Sequence, residues 1–181
     1  MQRIPRSAGV LLHPTALPGP AGIGTLGSAA REFLAGLADA GQQWWQMCPL
    51  VPTGYADSPY QGLSQRAMNP NLIDLAGLVD IGLLPSTDAL DQAFAGLPAN
   101  RVDFGNVLPI RSRFLREAWG AFQSGKGPAD LRSALEDFRE QEEQWLGDFS
   151  EFMAAKDSQD LRPWTAWQED LRLREPASMQ R

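Results

Sequence analysis

Residues 53–61 contain the side chains whose types and spacing point most directly to chemistry. Two aromatic residues stand among small polar ones directly after a predicted strand: Tyr55, Asp57, Ser58, Tyr60 and Gln61. Aromatic rings stack on apolar surfaces such as the C–H face of a sugar, while Asp, Ser and Gln side chains bind hydroxyl groups. The segment therefore predicts a carbohydrate site. The alternative is a proline-stiffened turn whose tyrosines only pack.

His13 and Cys48 are the single histidine and the single cysteine of the chain. One imidazole excludes two-histidine metal sites and leaves one possible base. Two interpretations of His13 stay open: a hydrogen-bonded structural role, or a place in the wall of a pocket at a strand end, where barrel enzymes build their sites. Cys48 could act as a nucleophile only if His13 served as its base. Its apolar surroundings instead predict a buried structural thiol. We expect no metal site.

Residues 22–27 match the G-x-G-x-x-G pattern of dinucleotide-binding loops. Their context does not fit that pattern, because Pro14, Pro18 and Pro20 separate the glycines from the preceding strand and Met47 stands where the ribose-binding acid belongs. We therefore expect no cofactor, and a loop whose glycines permit tight packing at a helix start. A nicotinamide or flavin oxidoreductase is the rival hypothesis.

Apolar patterning predicts the elements that position these groups. Residues 8–12 form a short apolar run typical of a strand buried on both faces, and residues 44–48 form a second strand. Between them, residues 28–40 carry apolar side chains at helical spacing before Gly41. Long loops follow each strand, at residues 14–24 and 54–70. This order predicts one right-handed βαβ unit with parallel strands.

The second half of the chain is predicted to be helical. Helical periodicity covers residues 110–122 and 128–152, and a last segment begins at Pro163. Four tryptophans at helix-face spacing are expected in the core: Trp119, Trp145, Trp164 and Trp167. A (β/α)₈ barrel takes about 250 residues, so a chain of this length that spends half of it on helices does not close one. The predicted sheet is unfinished.

Composition excludes several classes of protein. The chain has 181 residues, 43% of them hydrophobic, and a formal net charge of −6. Without a basic stripe it is not expected to bind nucleic acid. The apolar stretch at residues 72–84 contains two aspartates and is too short to span a membrane, and no export signal is visible. A single cysteine fits a reducing compartment, so the cytoplasm is the expected location.

Three ordered motifs resemble a known family. The first is Ser-Ala-Gly-Val-Leu-Leu-His-Pro-Thr-Ala-Leu-Pro-Gly-Pro at 7–20, followed by Gly-Ile-Gly at 22–24. The second is Trp-Gln at 45–46, followed by Pro-Leu at 49–50 and Pro-Thr-Gly-Tyr at 52–55. The third is Asp-Ser-Pro-Tyr-Gln at 57–61, followed by Asn-Pro at 69–70 and Leu-Ile-Asp-Leu at 72–75. They are similar to motifs of the amylomaltases, or 4-α-glucanotransferases, of glycoside hydrolase family 77. Ala16 and Ala56 depart from it, standing where the family has serine and glycine.

The resemblance implies an α/β fold: the N-terminal part of a (β/α)₈ TIM barrel with an inserted helical subdomain, incomplete in this chain. Residues 1–84 would form the first βαβ unit with active-site loops, and residues 85–181 the helical insertion. It implies transfer of α-1,4-glucan segments between maltodextrins with retention, through a covalent glycosyl-enzyme. That chemistry needs two carboxyl groups about 5 Å apart. By resemblance they lie beyond Arg181, so no catalytic residue is assigned here.

The resemblance also assigns roles to individual residues. Tyr60 corresponds to the tyrosine that stacks on the sugar at the cleavage subsite, and Ser58 to a neighbouring polar contact. Tyr55 matches an aromatic residue of a second, remote glucan site, and Asp57 shapes the loop or orients substrate. Gln61 and His13 complete the expected substrate-binding set.

Two hypotheses about function follow. In the first, the chain is part of a cytoplasmic 4-α-glucanotransferase, binds maltodextrin, and is inactive without the remaining C-terminal part of the barrel. In the second, it is a stand-alone, noncatalytic glucan-binding or interaction module.

Overall fold

The computed structural model describes residues 6–179, in which two short strands precede a series of helices. The strands are β1 (Gly9–Leu11) and β2 (Trp44–Gln46). The helices are α1 (Ser28–Asp39), α2 (Leu75–Asp80), α3 (Thr87–Phe94), α4 (Phe104–Gln123), α5 (Leu131–Gln141), α6 (Glu143–Ser158), α7 (Glu169–Arg172) and α8 (Pro176–Met179). Within residues 6–179 none of these helices is long and apolar enough to cross a bilayer.

The two strands pair in parallel, as the sequence predicts. Val10 lies opposite Trp45 in the register, and the Leu12 N–H donates to the Gln46 carbonyl at 3.0 Å. Parallel strands need a crossover connection, and α1 lies in the segment that joins them. The predicted strand–helix–strand order is therefore confirmed.

The prediction that β1 is buried on both faces is wrong for this structure. Val10 is 36% exposed and Leu11 is 61% exposed, and Trp44 on the neighbouring strand is 62% exposed. Among the described residues β1 pairs with β2 alone. A parallel strand is buried on both faces only where further strands and helices cover it, and the described residues supply one neighbouring strand.

Helix α1 ends where the sequence predicts. Gly41 has φ +69°, its N–H donates to the Ala38 carbonyl, and the Gln42 N–H donates to the Leu37 carbonyl, both at 2.9 Å. These two hydrogen bonds form the pattern that ends a helix at a glycine. Along α1, the Phe33 ring meets the Trp45 ring edge-on with centroids 5.0 Å apart. That contact packs the helix against β2.

Helices α2, α3 and α4 pack together in the first of two compact units, which ends at Pro128. The unit is held by fully buried apolar side chains such as Leu75 and Val107, and by a stacked pair of rings, Phe94 and Phe114, with centroids 6.2 Å apart. Burial of such side chains contributes roughly 1.5–3 kcal/mol each. This packing fixes the turns that precede α2.

The second compact unit begins at Ala129 and contains α5 to α8. In it the Phe152 and Trp167 rings lie 5.6 Å apart, and Trp167 is buried. The division of the chain at residue 84 into barrel and insertion stays a prediction.

The expectation that all four helix-spaced tryptophans lie in the core is wrong. Trp119 is 45% exposed and Trp164 is 55% exposed, whereas Trp145 is half-buried. Helical spacing shows that apolar residues share a face, but it does not show that another element covers that face. On α4, Trp119 stacks on Phe122 at 5.3 Å instead of entering the core.

Candidate functional site

Both parallel strands end at one edge of the sheet, and the predicted site residues follow that edge. His13 lies two residues beyond β1 and Cys48 two residues beyond β2. The carboxyl edge of parallel strands is where α/β proteins place ligands. The loop at residues 53–62 leaves from this edge.

This loop is closed on itself by backbone hydrogen bonds. The Gly54 N–H donates to the Gln61 carbonyl at 2.8 Å, the Leu63 N–H to Pro52 at 2.8 Å, and the Gln61 N–H to Ser58 at 3.0 Å, while Thr53 and Gly62 form an antiparallel bridge. A further bond, from the Asn69 N–H to the Leu50 carbonyl at 2.8 Å, closes the wider segment. The loop therefore has a defined conformation.

A left-handed turn lies at the centre of the loop. Ala56 and Asp57 have φ of +57° and +53°. Glycine and, less readily, Asp and Asn adopt this region, whereas alanine is strained there by about 1–2 kcal/mol. Ala56 therefore carries backbone strain that a glycine at this position would relieve. The placement of Asp57 in the turn favours a loop-shaping role for it.

Tyr60 presents an open ring. It is 77% exposed, and its N–H donates to Ser58 Oγ at 3.4 Å. The Tyr60 hydroxyl lies 3.6 Å from Cys48 Sγ. The hydrogen bond with Cys48 raises the pKa of the Tyr60 phenol above its usual value. Its faces are accessible to a ligand.

Cys48 is not the buried strand residue that the sequence predicts. Strand β2 ends at Gln46, and Cys48 is half-buried in the loop that follows. The strand ends where its partner ends, because Leu11 opposite Gln46 is the last pair in the register of β1 and β2. The thiol instead faces the Tyr60 hydroxyl.

The other loop residues offer polar groups. Ser58 and Asp57 are half-buried, and Gln61 is exposed while its backbone closes the loop. The Tyr55 side chain lies outside the part of the chain that the structure describes, so its role in a remote glucan site stays a prediction. The roles of these residues in substrate binding likewise stay predictions.

His13 is built into the start of the first loop. Its Nδ1 lies 2.7 Å from Thr15 Oγ1 and accepts from the Thr15 N–H at 3.4 Å, capping the short 3-10 turn Pro14–Ala16. Nε2 is buried without a hydrogen-bonding partner of ordinary geometry. Burial lowers the pKa of His13, and a weaker interaction with the Pro49 backbone raises it in part. These contacts give His13 a role in capping the turn, and its place in the wall of a pocket stays a prediction.

The glycine-rich segment is a packing device, as predicted. A methyl group at Gly24 would lie 2.6 Å from the Leu17 carbonyl oxygen, and one at Gly27 would lie 2.5 Å from the Asp74 carboxyl carbon. Gly27 immediately precedes α1. The Asp74 carboxylate therefore lies at the helix N-terminus where a dinucleotide pyrophosphate would bind. This placement argues against the oxidoreductase hypothesis.

Arg111 is a residue that sequence analysis missed. It lies on the buried face of α4 with 0% exposure, and its Nη2 donates to the Ile73 carbonyl at 2.5 Å. Burial lowers its pKa to about 10, partly offset by the charge of Asp74. The bond fixes the turn Pro70–Leu72, whose cap Asn69 is itself buried. The sequence does indicate this burial, because Arg111 shares one helical face with the apolar residues Val107 and Phe114.

The structure has two parallel strands joined by a helix, long loops at their carboxyl edge, and further helices, which define an α/β fold. Its candidate site is an exposed aromatic loop. Within residues 6–179 no three His, Cys, Asp or Glu side chains are grouped so as to hold a metal ion.

Comparison with known proteins identifies the family. The family model described as 4-alpha-glucanotransferase matches residues 12–181. The 4-alpha-glucanotransferase of Thermus thermophilus is 44% identical over 176 residues, covering 97% of this chain and 34% of that protein. The enzyme of the same name from Synechocystis is 39% identical over 174 residues, covering 96% of this chain and 34% of that protein.

A solved structure agrees with these sequences. Amylomaltase from Streptococcus agalactiae in complex with acarbose superposes with a TM-score of 0.86 at 35% identity, covering 97% of this chain and 35% of that one. The chain belongs to the 4-alpha-glucanotransferase family. It spans about a third of the length of the relatives it matches.

Proposed function

We propose that this chain forms part of a 4-alpha-glucanotransferase that transfers α-1,4-glucan segments between maltodextrins, and that it supplies one wall of the donor-sugar site. The observation that carries the proposal is the exposed Tyr60 ring on a closed loop at the carboxyl edge of β1 and β2. Acarbose, a sugar, is bound in the solved relative with a TM-score of 0.86.

In this proposal the loop contacts the sugar at which the bond is cut. The Tyr60 ring stacks on the apolar face of that sugar, and Ser58, Asp57 and Gln61 bind its hydroxyl groups. Such contacts speed the reaction where they strengthen in the oxocarbenium-like transition state. The neutral His13 forms the adjoining wall at the end of β1.

The reacting carboxylates are proposed to lie in the other two thirds of the protein. Retaining transfer needs a nucleophilic carboxylate and an acid/base carboxyl group about 5 Å apart. The exposed Leu11 and Trp44 side chains support a fold in which further strands complete a (β/α)₈ barrel around β1 and β2. The chain alone is then inactive, and the cytoplasm remains its proposed location.

A domain exchange tests the proposal. This chain replaces the matched third of the Thermus thermophilus relative to give a fused enzyme, which is incubated with maltotriose while glucose and longer maltodextrins are measured by chromatography. We expect activity from the fused enzyme and none from this chain or the remaining two thirds alone. Replacing the ring by Tyr60→Ala should lower kcat/KM about tenfold, since an aromatic stack contributes up to about 1.5 kcal/mol.

Two results would contradict the proposal. One is full activity of the Tyr60→Ala fused enzyme, which would remove Tyr60 from the sugar site. The other is disproportionation of maltotriose by the 181-residue chain itself, which would place the catalytic carboxylates inside it. Maltodextrin binding by this chain, with an inactive but cooperatively folded fused enzyme, would favour the noncatalytic binding module.

A further inference from the structure

Two contacts fix Tyr60, one at its backbone and one at its hydroxyl group. Near its backbone, the Tyr60 N–H donates to Ser58 Oγ at 3.4 Å, within a loop closed by the bonds of Gly54 and Leu63. At the far end of the ring, the hydroxyl lies 3.6 Å from Cys48 Sγ. Between these two contacts the side chain is 77% exposed.

Cys48 is well placed to act as a fixed support. It follows β2 by two residues, and β2 is anchored to β1 by the Leu12 N–H bond to Gln46. The thiol therefore lies just beyond the end of β2, whereas the ring lies twelve residues further along the chain. A contact between the two fixes the loop side chain relative to the strands that carry the rest of the site.

We propose that Cys48 is a positioning residue that holds the Tyr60 ring in place for stacking on the donor sugar. The proposal rests on the function proposed above. An exposed aromatic side chain without a second contact loses rotational freedom when a ligand binds, and that loss weakens binding. With its hydroxyl engaged by the thiol, the Tyr60 side chain keeps one direction from the loop, and the ring can turn only about its own long axis.

The first test measures the contact directly in the 181-residue chain. The chain has two tyrosines, so Tyr55→Phe leaves Tyr60 as the sole phenol, and its ionisation is followed by ultraviolet absorbance as pH rises. Cys48→Val is similar in volume but makes no hydrogen bond, and should lower the pKa of Tyr60 toward its usual value. Cys48→Ser retains a hydrogen-bonding group and should lower it less. Equal titration curves for all three chains would overturn the contact.

The second test measures its effect on catalysis in the fused enzyme by a double-mutant cycle. Cys48→Val should lower kcat/KM about fivefold when Tyr60 is present and leave it unchanged in the Tyr60→Ala background, because the two substitutions then remove one interaction. A loss that is equal in both backgrounds would show a structural effect of Cys48 and overturn the proposal.

The two proposals fail separately. If Tyr60→Ala leaves kcat/KM unchanged, the assignment of Tyr60 to the sugar site fails. If Tyr60→Ala lowers kcat/KM but Cys48→Val does not, the sugar site stands and the positioning role of Cys48 is refuted.

Discussion

Gly24→Ala and Gly36→Ala make a matched pair of substitutions with opposite expected effects on stability. The methyl group added at Gly24 would lie 2.6 Å from the Leu17 carbonyl oxygen and 2.8 Å from the Leu17 nitrogen. Both neighbours are backbone atoms and cannot rotate away. Such overpacking costs about 1–3 kcal/mol, and the rigid neighbours place Gly24→Ala near the upper limit. At Gly36, in the middle of α1, a methyl group meets no atom within 4 Å.

Gly36→Ala should therefore stabilise the chain by about 0.5–1 kcal/mol, because alanine favours a helix interior over glycine. The free energy of unfolding, measured by urea denaturation followed by circular dichroism, should differ between the two variants by about 3.5–4 kcal/mol. Gly36→Ala also controls for any general effect of replacing a glycine. Equal midpoints for both variants would refute the close packing of the loop at residues 14–24 against its own backbone.

Three further predictions concern single residues. Burial lowers the pKa of His13 below 6.5, so His13 of the unfolded chain takes up a proton before His13 of the folded chain as pH falls, and stability is lost from about pH 6.5 downward. His13→Gln should therefore make the melting temperature less dependent on pH between about pH 7.5 and 5.5. An unchanged slope of melting temperature against pH would contradict this. Arg111→Ala should lower the free energy of unfolding in urea by about 3 kcal/mol, because it leaves a cavity and removes the hydrogen bond to the Ile73 carbonyl. Arg111→Met keeps the side-chain volume without a buried charge and should lower it less. Equal losses for the two variants would be inconsistent with this account. Ala56→Gly should raise the unfolding free energy by about 1 kcal/mol by relieving left-handed strain, and a loss of stability would argue against that strain.

Local patterns in the sequence predict local structure well in this chain. The spacing of apolar residues and the position of Gly41 predict α1 and its end, and the context of the glycines at 22–27 predicts the close packing that the structure has. Burial of β1 was not predictable from its apolar run, because burial depends on which elements lie beside the strand.

The contact between Cys48 and Tyr60 shows a second limit. Both residues were singled out, one as a buried thiol and the other as a sugar-stacking ring, yet no spacing rule joins positions 48 and 60. Their contact depends on β2 ending at Gln46 and on the backbone hydrogen bonds that close the loop between residues 50 and 69. This limit does not apply to Arg111. Its spacing on the helix predicts that it is buried, and a buried guanidinium needs a hydrogen-bond acceptor such as a backbone carbonyl.

The bonds that close the Tyr60 loop also determine how early it can form. The pairs Gly54 with Gln61, Pro52 with Leu63, and Leu50 with Asn69 are each fewer than twenty positions apart along the chain. Contacts of such short sequence separation form quickly, because closing a short loop costs little chain entropy. During synthesis the loop can therefore reach its final shape before the helices that follow it, α2 to α8, have been made, so those helices pack beside a loop that is already formed.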